Sequence, residues 1–170
     1  MSEQAHIDCL AFAQDSGVLD GVVAVRDFTR LCDSLANNAG EFHYRIEAGL
    51  AKPGRAFMRL EAEGQLQLQC QRCMQAFVWN FTVNSRVFIA RHPGELEAWD
   101  READGLEDAI LADHQFDWLA WLEDEVLLAL PIAPVHPAQA CPQSGPQILV
   151  ERRPNPFAAL AALKQHNLKS

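Results

Sequence analysis

Four residues of the chain have the side chains and spacing of a metal site. Cys70 and Cys73 form a Cys-x2-Cys pair, and His136 and Cys141 follow about sixty positions later. Two thiolates on a tight turn, joined by an imidazole and a third thiolate, make the Cys3His set that structural zinc sites favour, although other thiophilic ions also accept it. The gap between the halves is longer than in a zinc ribbon, so this chemistry alone leaves a metal-free arrangement open.

The Cys-x2-Cys pair also has a redox interpretation. In thioredoxin-type sites the pair lies where a strand ends and a helix begins, because the helix N-terminus lowers the pKa of the attacking thiol. Here apolar and polar residues alternate from Phe77 to Val83, which predicts a strand after Cys73. The pattern favours a metal knuckle, with a thiol oxidoreductase using Cys70 and Cys73 as the alternative.

Alternation of period two predicts the antiparallel strands that carry this knuckle. Apolar residues alternate over 42–48, 58–60, 66–70 and 77–89. Turns are predicted at Lys52-Pro53-Gly54 and Glu63-Gly64, and the third turn falls at the cysteine pair. Both thiols of the pair are therefore expected at the tip of a hairpin.

Two helices are predicted around the strands. Residues 22–39 place apolar side chains three and four positions apart, and residues 117–130 do the same with Asp117 as N-cap and Pro131 as the stop. The prolines at 131, 134 and 137 force an extended arm, which would return His136 and Cys141 to the hairpin tip. Cys9 and Cys32 are expected to be ordinary packing or surface thiols.

Charge is distributed unevenly along the chain. The formal net charge is −9, yet residues 95–125 hold 12 acidic residues against one base, and the remainder holds 11 acids and 13 bases. We expect a mobile acidic insert at 95–114, without EF-hand spacing, beside a mildly basic core. That core permits contact with RNA or a protein partner, for which the candidates are Arg55, Arg59, Arg72 and Arg86.

Length and composition set the class of protein. The 170 residues, 49% of them apolar, predict one domain over 1–170 with a real core. Five cysteines form an odd set, and no signal-peptide pattern or span of about 18 apolar residues occurs, so we expect reduced thiols, a cytoplasmic location and no membrane contact. A short C-terminal helix is predicted at 155–164, begun by Asn155 and Pro156.

Three blocks of this sequence resemble the YceD family, the bacterial large ribosomal RNA subunit accumulation proteins. They are residues 68–73 (LQCQRC), residues 123–136 (EDEVLLALPIAPVH) with the later Cys141, and residues 155–164 (NPFAALAALK). The resemblance implies a non-enzymatic cytoplasmic factor that supports synthesis, processing or stability of 23S ribosomal RNA. It also implies that Cys70, Cys73, His136 and Cys141 are the family's metal ligands. The N-terminal strands and the acidic insert match only in general character.

The sequence therefore predicts an α+β fold: an antiparallel sheet or small β-barrel with packed helices and a Cys3His zinc clasp. The expected partner is 23S rRNA or a large-subunit precursor, contacted directly or through a ribosomal protein or assembly factor. Besides the oxidoreductase, a second alternative is a metal-free protein–protein adaptor that acts through the C-terminal helix.

Overall fold

A computed structural model describes residues 6–51, 54–102, 108–137 and 140–141. The chain divides into two compact units, residues 1–136 and 137–170. All the described helices and strands belong to the first unit. In chain order they are β1 (His6–Ile7), α1 (Cys9–Gln14), β2 (Val18–Ala24), a 3₁₀ turn (Val25–Asp27), α2 (Thr29–Cys32), β3 (Glu41–Ala51), β4 (Arg55–Gln69), β5 (Ala76–Ala90), α3 (Pro93–Glu102), β6 (Asp108–Leu111), β7 (Phe116–Asp117) and α4 (Trp118–Ala129).

The architecture is α+β, as predicted, and it is built on a five-stranded sheet in the order β2-β3-β4-β5-β6. The first four strands pair antiparallel in sequence order, whereas β6 pairs parallel with the end of β5. Strands β1 and β7 form a separate two-stranded sheet. The barrel alternative is wrong for the described residues, because β2 and β6 remain at opposite edges and the sheet does not close.

The turn predicted at Glu63-Gly64 is also wrong, because β4 runs without interruption through both residues. Gly64 pairs with Phe42 on one side and Phe81 on the other. A Cβ atom on Gly64 would lie 2.4 Å from the Cβ atom of Phe42. Glycine at this position permits the close approach of two strands, which is its usual role inside a sheet.

Helices cover one face of the sheet, which we call the inner face, and leave most of the other, the outer face, to solvent. Helix α4 begins where the Asp117 side chain accepts a hydrogen bond from the N–H of Ala120, which confirms the predicted N-cap. Leu122 and Val126 are fully buried against inner-face residues such as Phe81. Helix α1 adds Cys9 and Ala13 to a second buried cluster beside it.

The helix predicted over 22–39 is mostly wrong. Its first residues extend β2, which pairs with β3 from Val18 to Ala24, and the rest forms the 3₁₀ turn and the four-residue α2. Val25, Phe28 and Leu31 are nevertheless buried. Single helical turns also place apolar side chains three positions apart, so the spacing identified the buried residues without identifying the element.

The acidic segment 95–114 contains regular structure on both sides of residues 103–107, which lie outside the described residues. Helix α3 occupies its beginning, and β6 pairs with Val87–Ala90 of β5. The loop interpretation is therefore wrong for α3 and β6. Trp99 of α3 packs on the ring of Phe88, which anchors the helix to the outer face.

Two further observations bear on the predicted organisation. The C-terminal helix at 155–164 lies outside the described residues. None of the helices in the described part of the chain is long and apolar enough to cross a membrane.

Candidate metal centre

The Cys-x2-Cys pair lies at the tip of the β4–β5 hairpin, as the sequence predicts. Residues 70–75, which we call the knuckle loop, join the two strands. The N–H of Cys70 donates to the carbonyl of Gln75 at 2.9 Å, and the N–H of Met74 donates to the carbonyl of Cys70 at 2.8 Å. Met74 adopts a left-handed conformation with φ of 62°. These bonds close a tight turn with both thiols on one short loop.

Residues 131–136 after α4, the proline arm, attach to this loop through their backbone. The N–H of Gln71 donates to the carbonyl of Pro134 at 2.9 Å, and the Gln71 side-chain amide donates to the carbonyl of Ile132 at 3.4 Å. The imidazole of His136 packs on the ring of Phe77, with centroids 4.8 Å apart. The arm therefore presents His136 to the knuckle loop in a fixed orientation.

All four predicted ligands belong to one group that could hold a metal ion. The ligand atoms of Cys70, Cys73, His136 and Cys141 lie within 4.8 Å of one another. Cys70 and Cys141 are buried, and Cys73 and His136 are half-buried. We call this group the Cys3His cluster. Cys9 and Cys32 are outside it, and their thiols donate to the carbonyls of Asp113 and Val25, which confirms their predicted packing role.

The distance between the ligand atoms of Cys73 and His136 is close to that expected on a tetrahedral ion. With metal–sulfur bonds of about 2.3 Å and metal–nitrogen bonds of about 2.1 Å, a sulfur and a nitrogen ligand lie about 3.6 Å apart, and two sulfurs about 3.8 Å apart. The Cys73 Sγ and His136 Nδ1 atoms are 3.4 Å apart. Three thiolates and one imidazole fill four positions, so the donor set fits zinc in a structural rather than a catalytic site.

The electrostatics of the knuckle loop favour a thiolate at Cys70. Burial alone would raise the pKa of this thiol, but backbone N–H groups of His136, Cys73 and Arg72 point at the sulfur and outweigh burial, lowering the pKa to about 5. Amide donors directed at a thiolate are typical of the surroundings that orient and tune metal ligands. Since the residues after the knuckle form β5, no helix N-terminus contributes to this shift.

One charged residue of α4 is buried. A run of three acidic residues, Glu123-Asp124-Glu125, would ordinarily face solvent, but Glu123 is only 7% exposed. Its carboxylate accepts from the buried N–H of Leu31 at 2.9 Å and forms an ion pair with Arg30 at 2.8 Å. The sequence signal was its place directly after Leu122, on the edge of the buried stripe. This contact joins α4, and hence the arm, to α2.

The four candidate arginines do not form one patch. Arg86 stacks on the rings of Phe57 and Phe88 at 4.6 Å from each, and Arg55 lies 4.8 Å above Trp99. Arg59 pairs with Glu61 at 2.7 Å. These three arginines lie near one end of the outer face, whereas Arg72 is exposed on the knuckle loop beyond the other end of β4.

The middle of the sheet holds a groove that the sequence does not indicate. It has a volume of about 430 Å³ and lies across β3, β4 and β5, where it is lined in part by His43, Arg45, Glu61 and Asn84. Arg45 forms an ion pair with Glu47 at 2.7 Å, so the positive charge of Arg45 is largely balanced by the carboxylate. The groove is therefore polar without being strongly basic.

The fold and the site define an α+β domain with a Cys3His group that could hold a metal ion. Residues 58–164 match the family model described as the large ribosomal RNA subunit accumulation protein YceD. Because this match spans more than half of the chain, the chain belongs to the YceD family. A protein of Haemophilus influenzae named large ribosomal RNA subunit accumulation protein YceD is 28% identical over 161 residues, which cover 85% of this chain and 86% of that protein. No solved structure matches the chain.

Proposed function

We propose that this protein is a cytoplasmic, non-enzymatic ribosome-biogenesis factor that supports synthesis, processing or stability of 23S rRNA. The family match over residues 58–164 carries this proposal. The relative in Haemophilus influenzae supports it, since its name assigns it to accumulation of the large ribosomal RNA subunit and the alignment extends over 85% of this chain.

The proposed role of the Cys3His cluster is to hold one structural zinc ion. Cys70, Cys73 and Cys141 would bind as thiolates and His136 as a neutral imidazole through Nδ1, the ring nitrogen that faces Cys73. The ion would cross-link the knuckle loop and the proline arm in addition to the two hydrogen bonds that Gln71 donates to the arm. In this role zinc contributes to folding free energy, and no position remains for a catalytic water.

The protein would reach large-subunit precursors either by direct RNA contact or through a ribosomal protein or assembly factor. Among the candidate arginines, Arg72 favours direct contact most, because its side chain is exposed on the knuckle loop. Arg55 and Arg86 stack on aromatic rings, and Arg59 pairs with Glu61. Each of these three guanidinium groups would have to divide its interactions between that neighbour and a phosphate. A partner protein fits the overall charge of −9 better than extensive phosphate contact does.

The experiment that tests the proposed function is complementation of a deletion strain. Wild-type protein should restore 23S rRNA to its normal level relative to 16S rRNA and should co-sediment with large-subunit precursors. Unchanged 23S rRNA in the deletion strain would refute the proposal. A thiol oxidoreductase, which the low pKa of Cys70 favours, would instead reduce a disulfide substrate in vitro with metal-free protein.

Direct RNA contact has its own test with a matched control. Arg72→Glu should lower affinity for large-subunit rRNA and reduce its salt dependence, if Arg72 neutralises a phosphate. Arg26→Glu makes the same charge change at an exposed residue of the 3₁₀ turn. Equal losses in both variants would indicate a general charge effect and would argue against a specific contact at Arg72.

A further inference from the structure

The outer edge of β5 is long and lacks a strand beside it in the described residues. Strand β5 pairs with β4 along nearly its whole length, but β6 covers only Val87–Ala90. Over residues 76–86, the backbone groups that point away from β4 have no strand partner among the described residues. We call this stretch the free edge. It is eleven residues long, about twice the length of an average strand.

The composition of the free edge offers little protection against pairing with another strand. Residues 76–85 (AFVWNFTVNS) contain no charge, no proline and no glycine. Val78 is 51% exposed, and Phe77 and Trp79 are only half-buried although they face the core side. Natural proteins protect sheet edges with charges, prolines, bulges or a covering element, because an uncharged flat edge is a template for another strand. Residues 76–85 have none of the first three protections, and the charged Arg86 lies only at the end of the free edge.

We propose that the free edge pairs antiparallel with the free edge of a second copy of this chain, forming a homodimer with a continuous ten-stranded sheet. A two-fold axis at Phe81 makes the two segments antiparallel, so that residue 76 of one copy lies opposite residue 86 of the other and residue 80 lies opposite residue 82. In this register β6 lies just beyond the paired segment in each copy, since it begins opposite Val87. The proposal concerns β5 alone and does not depend on the metal or on the role in ribosome biogenesis.

The residues of the free edge suit pairing with themselves. On the inner face the half-buried Trp79 would lie opposite Val83 of the second copy, and Phe81 would lie opposite its own counterpart at the axis. Phe81 and Val83 are already buried in the single chain, so Trp79 would contribute most of the apolar surface newly buried on this face. Aromatic and β-branched pairs of this kind are among the stabilising cross-strand neighbours. On the outer face Asn80 would meet Thr82 of the second copy, and both residues are exposed in the single chain. Because residues 76–85 are uncharged, no like charges come together.

The test uses charges placed at the proposed dimer contact. In Asn80→Lys/Thr82→Lys, each new lysine faces a lysine of the second copy, whereas Asn80→Asp/Thr82→Asp places carboxylates there. Each double variant alone should dissociate at least about tenfold more readily than wild type, since like charges directly opposite are destabilising. Mixing the lysine and aspartate variants should restore the dimer, because every opposing pair then joins opposite charges.

The matched control moves the same charges one strand inward. Gln65 and Gln67 lie on the outer face of β4, and Gln65 pairs with Asn80. Gln65→Lys/Gln67→Lys should leave dimerisation unchanged in sedimentation equilibrium of the full-length protein. Wild-type protein that is monomeric at all concentrations would overturn the proposal. A dimer that tolerates the edge lysines, or one that the control weakens equally, would overturn it as well.

Discussion

The Sγ atom of Cys73 lies 3.4 Å from the Nδ1 atom of His136, across 63 positions of the sequence. Strand pairing places Cys73 at the tip of the β4–β5 hairpin, and α4 with the proline arm brings His136 to the same tip. Two independent parts of the fold therefore converge on one contact. Such convergence of soft ligands is the physical basis for proposing a structural metal site here.

Removal of the Glu123 carboxylate should destabilise the fold. Glu123→Ala leaves the buried N–H of Leu31 without its acceptor and removes one of the two acidic partners of Arg30. We expect a loss of about 2 kcal/mol in the free energy of unfolding, since a buried unsatisfied donor costs about 1–3 kcal/mol. Urea denaturation measures this loss.

The control for this variant is Asp124→Asn, which removes a neighbouring carboxylate that also pairs with Arg30. Because both side chains of that pair are 52% exposed, we expect a loss below about 1 kcal/mol. Equal losses for the two variants would show that burial of Glu123 is not the source of its contribution.

The pair formed by Asp8 and His114 predicts a pH-dependent contribution to stability. The His114 Nδ1 and Asp8 Oδ2 atoms are 2.6 Å apart. The hydrogen bond with Asp8 raises the pKa of His114 above 6.5, and the N–H of Ala11 together with His114 lowers the pKa of Asp8 below 3.8. The histidine contribution is complete below its unfolded pKa and is lost as pH rises through the raised pKa. The aspartate contribution is present above its unfolded pKa and is lost as pH falls through the lowered pKa.

The stabilising window of this pair is therefore from about pH 4 to about pH 6.5. The difference in melting temperature between wild type and His114→Gln should be largest near pH 5 and close to zero near pH 9. Subtracting the two curves removes the pH dependence that both proteins share. A difference that stays constant across this range would contradict the ion pair.

Gly64 should tolerate no side chain. In Gly64→Ala the new Cβ meets the Cβ of Phe42 at 2.4 Å and the Cα of Phe42 at 3.2 Å, so the strands must separate. We expect a loss of about 1–3 kcal/mol in thermal or urea unfolding, which is typical of overpacking. Gly94→Ala in α3 meets nothing closer than 3.5 Å and should be neutral or stabilising. A neutral Gly64→Ala would show that the packing between β3 and β4 is looser than the structure indicates.

The sequence predicted the position of the cysteine pair better than it predicted the elements around it. Alternation identified β3, β5 and the hairpin tip, because each strand buries every second residue on the inner face. It misplaced Gly64 in a turn, since glycine marks a close approach as well as a turn and only the packing of Phe42 distinguishes them. The helix predicted over residues 22–39 was mostly wrong because apolar spacings of three also occur in short turns that follow a strand.

Other features depend on residues that are far away in the sequence. The burial of Glu123 depends on Arg30 and Leu31, which lie more than 90 positions away. The parallel pairing of β6 with β5 likewise depends on the path of the chain through α3. Long-range partners of this kind decide whether a polar residue is buried, and a helical periodicity contains no information about them.

Metal content is the measurement that tests the central claim most directly. Protein purified without chelator should contain about one zinc per chain by elemental mass spectrometry. Cys70→Ser/Cys73→Ser should lose both the zinc and a large part of the thermal stability, because binding free energy contributes to folding. Cys32→Ser, at a half-buried thiol outside the Cys3His cluster, should retain both. Metal-free wild-type protein with an intact fold would contradict the structural zinc site and would favour the redox alternative.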